Sequence, residues 1–189
     1  VNKVKRHKKS LTDNDIDIIE KEIKRIDKIV REFLAFARPE KTEKTDVDVN
    51  EVLEDIITIT MPKMEQSAIH LEKNLWPSLP PIKGNHDALK QVFLNLILNA
   101  IQAMDGWSGR LSIKSEAKDR AVSVTITDTG AGISREDLKR IFDPFFTTKA
   151  EGTGMGLTLV HSIISEHSGK IDIDSSPGKG TTVKVEFPV

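Results

Sequence analysis

Residues 91–104, QVFLNLILNAIQAM, carry the reading on which the fold depends. Between Val92 and Met104 every residue is apolar except Asn95, Asn99 and Gln102. A helix apolar around nearly its whole circumference is buried, so this one has to lie between other elements. At about 100° per residue the three amides fall within an arc of about 60°. A buried amide without a partner costs roughly 1–3 kcal/mol. The stripe is therefore either a core network bonded to backbone or a site that turns its oxygens on a ligand. Amide oxygens suit a hard cation such as Mg²⁺, which keeps several waters and takes other ligands from phosphates. The helix is predicted over Asp87–Met104.

Working outward, four later segments alternate apolar and polar residues. They are Leu111 and Ile113; Val122, Val124 and Ile126; Ile171 and Ile173; Val183, Val185 and Phe187. Each buries one face only. A sheet covered on one face, with a few helices, implies a two-layer α/β sandwich with a mixed sheet. Ile69–Leu75 is a weaker strand candidate, and Trp76–Pro81, with three prolines, is a loop. Asn50 is expected to cap a helix through Val52, Leu53, Ile56, Ile57 and Ile59, whose continuation past Pro62 is left open. Ser134 to Phe142 reads as a short helix capped by Ser134, with Glu136 and Asp137 in its first turn. Gly156 to His167 reads as another, with Leu157, Val160, Ile163 and Ile164 inward.

The N-terminal part reads differently. Ile16, Ile19, Ile23, Ile26, Val30, Phe33 and Ala37 are spaced 3-4-3-4-3-4, the seam of a coiled coil or helical bundle. Lys3, Lys5, Arg6, Lys8 and Lys9 form a solvated basic end, and Ser10 to Asn14 a turn. Pro39 ends the seam helix. The division expected is 1–38 as part of a helical hairpin, 39–47 as a polar linker, and 48–189 as the α/β domain.

The 189 residues hold 28 basic and 29 acidic side chains, a net charge of -1, which disfavours a nucleic-acid-binding surface. No Cys is present, so disulfide and thiolate-metal sites are excluded. No apolar run approaches a membrane span. A start at Val1, without Met, is read as a fragment.

Three further motifs carry chemistry. Asp128-Thr129-Gly130-Ala131-Gly132 follows a strand. It is either an ordinary strand-to-helix turn or a carboxylate at a strand end, able to accept a hydrogen bond from an exocyclic amine such as adenine's. Gly152-Thr153-Gly154-Met155-Gly156 opens a helix. It is either a flexible loop or an anion cradle of free N–H groups, with Lys149 adding charge. Its spacing fits neither the dinucleotide fingerprint nor a Walker loop. Asp143 to Lys149 lies between, with Phe142 and Phe145 expected to pin it to the core. Residues 143–156 then look like a hinged lid over a nucleotide.

In this order and spacing the motifs resemble the ATP-binding boxes of sensor histidine kinases, over about residues 85–187. Asn95 and Asn99-Ala100 are similar to the family's asparagine box, Asp128 to Gly132 to its first glycine box, Phe142 to Lys149 to its phenylalanine box, and Gly152 to Leu157 to its second glycine box. Residues 1–38 look like the end of the dimerisation hairpin. The resemblance implies a Bergerat-type ATP fold, ATP and Mg²⁺ as ligands, and roles for the matching positions. Asn99 would ligand Mg²⁺ with Asn95 beside it. Asp128 would bind the adenine amine, directly and through water near Thr181. Gly130, Gly132, Ile133 and Phe145 would line the nucleotide. Gly152, Gly154 and Gly156 would hold the phosphates, helped by Lys149, and Thr153, Met155, Leu157 and Lys170 would be further ATP-binding positions. Gln102 stands where a basic phosphate contact often occurs, and Met104 where an aromatic often stacks on adenine. The short lid and His167-Ser168-Gly169-Lys170 are similar to nitrogen-regulation-type sensor kinases.

The resemblance further implies transfer of the γ-phosphoryl to a His and on to a response-regulator Asp. Its other implications are a response-regulator receiver domain as partner, a homodimer in the intact protein, and a cytoplasmic location with room for a membrane anchor elsewhere. None of His7, His70, His86, His161 or His167 has the acceptor context, so the acceptor is expected upstream of Val1. Two alternatives compete. A hydrolytic member of the same superfamily would carry an acidic base on the asparagine helix, where Gln91 to Asn95 offers none. A non-enzymatic docking module would not need Asn99, Asp128 and the lid glycines together.

Overall fold

The computed structural model describes residues 12–37, 43–106, 108–149 and 152–189. The basic run at 1–9, the turn at Ser10, and Pro39 with the rest of the first four residues of the expected linker, 39–42, lie outside them.

Helix α1 (Asp13–Ala37) comes first. Five of its seam residues, Ile16, Ile19, Ile23, Ile26 and Val30, are exposed. Strand β1 (Thr45–Val47) follows, inside the stretch expected as linker, and pairs antiparallel with β3 (Ile82–Gly84). This two-stranded piece escapes sequence reading because three residues are too few to establish a period.

Helix α2 (Val49–Gln66) is capped by Asp48, not by Asn50 as expected. The Asp48 carboxylate accepts from the backbone N–H of Asn50 at 2.8 Å. The Asn50 side chain is committed elsewhere: it accepts from Ser115 Oγ at 2.8 Å and donates to the Trp76 carbonyl at 2.7 Å, clamping the proline loop to the sheet. Pro62 does not end the helix. Ile57 and Thr60 before it and Met64 after it are all buried, and that packing outweighs a missing N–H.

The main sheet has the order β2-β4-β5-β7-β6, from β2 (Ile69–Asn74), β4 (Gly109–Lys118), β5 (Ala121–Asp128), β6 (Lys170–Ser176) and β7 (Gly180–Pro188). β2 runs parallel to β4 and the other pairs are antiparallel, so the sheet is mixed as expected. Helices α2, α3 (His86–Ala103) and α5 (Gly156–Glu166) cover one face. Leu111, Ile113, Val122, Val124, Val185 and Phe187 face those helices with no exposed surface or almost none. The central helix α3 starts one residue earlier than predicted, capped by the Asn85 side chain on Ala88 N–H at 2.7 Å. The fourth helix, α4 (Arg135–Leu138), keeps its expected Ser134 cap but ends before Phe142; residues beyond it turn back through Asp143 N–H to the Arg140 carbonyl. Among the described residues no helix is long and apolar enough to cross a membrane.

Candidate functional site

Strand alternation builds the floor of the site. Val122, Val124 and Ile126 point to the helices, so Asp128, two residues on, points the same way. Its cross-strand partner is Thr181, in step with Val183, Val185 and Phe187. A carboxylate thus ends the apolar row of β5, only 5% exposed. Asp128 Oδ1 accepts from Gly130 N–H at 2.8 Å and Thr181 N–H at 3.2 Å. Among the described residues no hydrogen bond ends on Oδ2, yet no buried polar side-chain atom lacks a partner, so Oδ2 reaches open space. Burial raises the carboxyl's pKa above its ordinary value, while the bonds from Gly130 and Thr181 and the positive charge of Lys149 pull it back.

The first glycine loop wraps this carboxylate. Ala131 N–H donates to the Ala103 carbonyl at the end of α3, at 2.9 Å, and Gly130 lies buried against that carbonyl. Gly132 sits at φ +70°, where a Cβ would lie 2.0 Å from the Ser176 carbonyl. Ile133 is half-buried and its N–H donates to Ser175 Oγ at 2.9 Å. Ser175 is the site residue that sequence reading missed. Its buried hydroxyl also bonds the Gly180 carbonyl and Thr181 Oγ1, each at 2.9 Å. The available signal is a Ser where Ile171 and Ile173 lead an inward-facing row.

The loop adjoins α3 at Ala103, and the asparagine face runs back along that helix. Asn95 donates to the Gln91 carbonyl at 2.9 Å, and its Oδ1 lies 2.9 Å from where a Cβ on Gly156 would be, so α3 meets the first turn of α5 here. The α5 N-terminus has no side-chain cap. Asn99 and Gln102 converge on the lid: Lys149 Nζ donates to Asn99 Oδ1 at 2.9 Å and Gln102 Oε1 at 2.7 Å. In the lid, Phe145 N–H donates to the Gly154 carbonyl at 3.1 Å, and Thr153 Oγ1 accepts from Met155 N–H at 3.3 Å. Gly152 is folded against Thr147, and Leu157 packs half-buried on the core.

Four expectations need correction. Phe145 does not pin the lid; at φ +65° it is 57% exposed, and the anchors are Phe142, stacked obliquely on His161, and Phe146, under Arg140. Met104 is fully buried, its sulfur 3.8 Å from Thr129 Oγ1, and presents no surface to a ligand. Met155 is likewise fully buried beneath the lid. Lys170 lies at the far end of the sheet: it pairs with Glu186, whereas Ser175 pairs with Thr181. Five residues of strand separate the two, roughly 17 Å.

Comparison with known proteins gives these features a context. Residues 84–189, more than half the chain, match the family described as histidine kinase-, DNA gyrase B-, and HSP90-like ATPase. The sensor histidine kinase ZraS of Escherichia coli K12 is 38% identical over 172 residues, which cover 91% of this chain and 37% of ZraS. The chain therefore spans little over a third of that relative's length. The nucleotide-free catalytic domain of the histidine kinase ThkA superposes with a TM-score of 0.71 at 32% identity, covering 78% of this chain and 96% of that domain. ThkA in complex with the response regulator protein TrrA gives a TM-score of 0.76 at 29% identity, covering 100% of this chain and 53% of the other.

Proposed function

Because the chain belongs to the histidine kinase-, DNA gyrase B- and HSP90-like ATPases and carries the ATP-binding domain of a sensor histidine kinase, we propose that it binds Mg²⁺-ATP and presents the γ-phosphoryl to a histidine. The observation that carries this reading is the single wall formed by Asp128 and the asparagine face of α3, joined through the Ala103 carbonyl. Asp128 Oδ2 accepts the adenine amine, with Thr181 backing the carboxylate. Gly130, Gly132 and Ile133 line the base. The uncapped first turn of α5, the Gly152–Gly156 backbone and Lys149 hold the phosphates.

Asn99, with Asn95 beside it, suits Mg²⁺, since hard amide oxygens are the ligands such an ion accepts from a protein, and the Asn99 oxygen already binds an ammonium. When bound, the ion neutralises phosphate charge. The chain's own part is positioning, as in other phosphoryl transfers. The P–O bond to ADP breaks as a P–N bond forms on an imidazole outside residues 1–189. None of the five His here lies in an acceptor-like motif.

The receiver of the phosphoryl is a response-regulator carboxylate, a reading supported by the ThkA–TrrA complex. The exposed seam residues of α1 support a homodimer in the intact protein, and its location is cytoplasmic. Titration calorimetry with Mg²⁺-ATP tests the assignment: the protein binds, and Asp128→Asn binds far more weakly. Equal affinity for the two proteins refutes it.

A further inference from the structure

The lid lysine makes a contact that nucleotide binding does not require. Its ammonium is shared between Asn99 Oδ1 and Gln102 Oε1, at 2.9 and 2.7 Å. These are two of the three amides in the polar stripe of α3, and Asn99 is the one assigned to the cation. A positive charge in contact with an amide oxygen is what a divalent cation would offer the same atom. The lid is thereby tied to α3 across 50 residues of sequence by a side chain at its own middle. Lys149 also lies close enough for its charge to stabilise the ionised form of Asp128.

We propose that Lys149 is a built-in counter-cation of the asparagine site. In the nucleotide-free protein its ammonium occupies the position on Asn99 that the metal takes, and Gln102 supplies the second acceptor that holds it there. Entry of the metal–nucleotide displaces Lys149 from the amides, which frees the lid segment for the phosphates. Gln102, neutral where a fixed base would repel an approaching lysine, is the partner this exchange needs. The proposal rests on the assignment of Asn99 to the cation but adds a step at the lid that ATP binding alone does not imply.

Hydrogen exchange read by mass spectrometry separates the two. Without nucleotide, amides of residues 143–149 and 152–155 exchange about fivefold faster in Lys149→Met than in wild type, the equivalent of losing one modest net hydrogen bond. Gln102→Leu gives a smaller acceleration in the same peptides, and Lys149→Arg restores most of the protection. With saturating Mg²⁺-ADP, which fills the site without a γ-phosphate, wild type and Lys149→Met converge in the lid. Identical lid exchange in the two nucleotide-free proteins overturns the inference even if ATP binds. Loss of protection in Lys149→Met, with no nucleotide-induced slowing at residues 128–133 in either protein, sustains the lid contact and refutes the ATP assignment.

Discussion

Gly132 and Gly154 have the same backbone angle, φ +70°, and both face a carbonyl group too close for a Cβ. They nevertheless sit in opposite kinds of structure. Around Gly132 everything is tied: Ala131 to α3, Ile133 to Ser175, and Gly178 N–H to the Ala131 carbonyl at 2.7 Å. Around Gly154 the obstructing atoms belong to Phe145, a residue of the same loop and itself exposed. The base side of the site is thus fixed by the sheet and α3, whereas the phosphate side is held by its own turns, by the Phe142 and Phe146 ring contacts and by Lys149. A rigid floor gives selectivity for a flat ring without reorganisation, and a lid held by a few exposed bonds is free to adjust to a charged chain of phosphates.

The sharpest test of that contrast is the same substitution on both sides. Gly132→Ala forces a Cβ into the Ser176 carbonyl at positive φ, and the floor cannot yield. It should cost about 3 kcal/mol or more, seen as a large drop in melting temperature together with loss of ATP binding. Gly154→Ala meets an equal local clash, but the lid can open. It should lower the melting temperature little while weakening ATP much more than adenosine. Equal losses of stability in the two variants would mean that the lid is as firmly built as the floor.

Asp128→Asn comes next. The two backbone N–H donors hold the oxygen at Oδ1, so the new NH₂ takes the place of Oδ2 and meets the adenine amine donor to donor. ATP affinity should fall about ten- to hundredfold, the effect of an unsatisfied buried pair. The pH dependence follows from the raised carboxyl pKa. Between its ordinary value and the raised one, the folded protein keeps a proton that the unfolded chain has released. This group's contribution to stability therefore declines as pH rises through that window. Binding runs the other way, because it needs the ionised form, and affinity drops as pH falls through the raised value. Asp128→Asn should remove both trends, measured by melting and by calorimetry from mildly acidic to neutral pH.

Much of this contrast was legible in the sequence, and the exceptions share a cause. The one-sided sheet, α3 and the Asp128 turn follow from periods of two and 3.6, which seven to eighteen residues are enough to show. The row Val122, Val124, Ile126 even fixes the direction of Asp128. What was not legible depends on atoms distant in sequence. Met104 reads as a ligand contact until β4 is seen to cover it, Gly109 lying directly against its side chain. Lys170 reads as a site residue until strand register puts it at the other end of β6. Phe145 reads as an anchor because Phe is usually buried, but its left-handed backbone turns it outward. Ser175 was overlooked because a serine in a strand carries no motif, although its hydroxyl joins the floor at three points.

That overlooked hydroxyl gives a smaller test of the floor. Ser175→Ala strands the Ile133 N–H and the Thr181 hydroxyl in a buried setting, and should cost about 1–2 kcal/mol. Because the same bonds steady the residues that line the base, denaturant unfolding and adenosine affinity should fall together. A loss of stability with unchanged adenosine binding would show that Ser175 supports the strand and not the site.

The smallest effect expected is at the root of the lid. Phe146 lies half-buried under the Arg140 guanidinium, 4.4 Å from ring centroid to Cζ, and this is the contact that links the lid to the turn after α4. Arg140 is largely exposed and bonded to Asp143 by a long ion pair at 3.7 Å, so neither interaction is strong. Phe146→Leu keeps the apolar contact and removes the ring face, a change of about 0.5–1 kcal/mol at an exposed site. In a floor residue such a change would move the global unfolding midpoint. Here it should leave the midpoint nearly unaltered and appear only as faster amide exchange in residues 143–149, because that segment opens without the rest of the domain. A shift in the global midpoint as large as that of Ser175→Ala would place the lid root inside the cooperative core and erase the distinction between the two halves of the site.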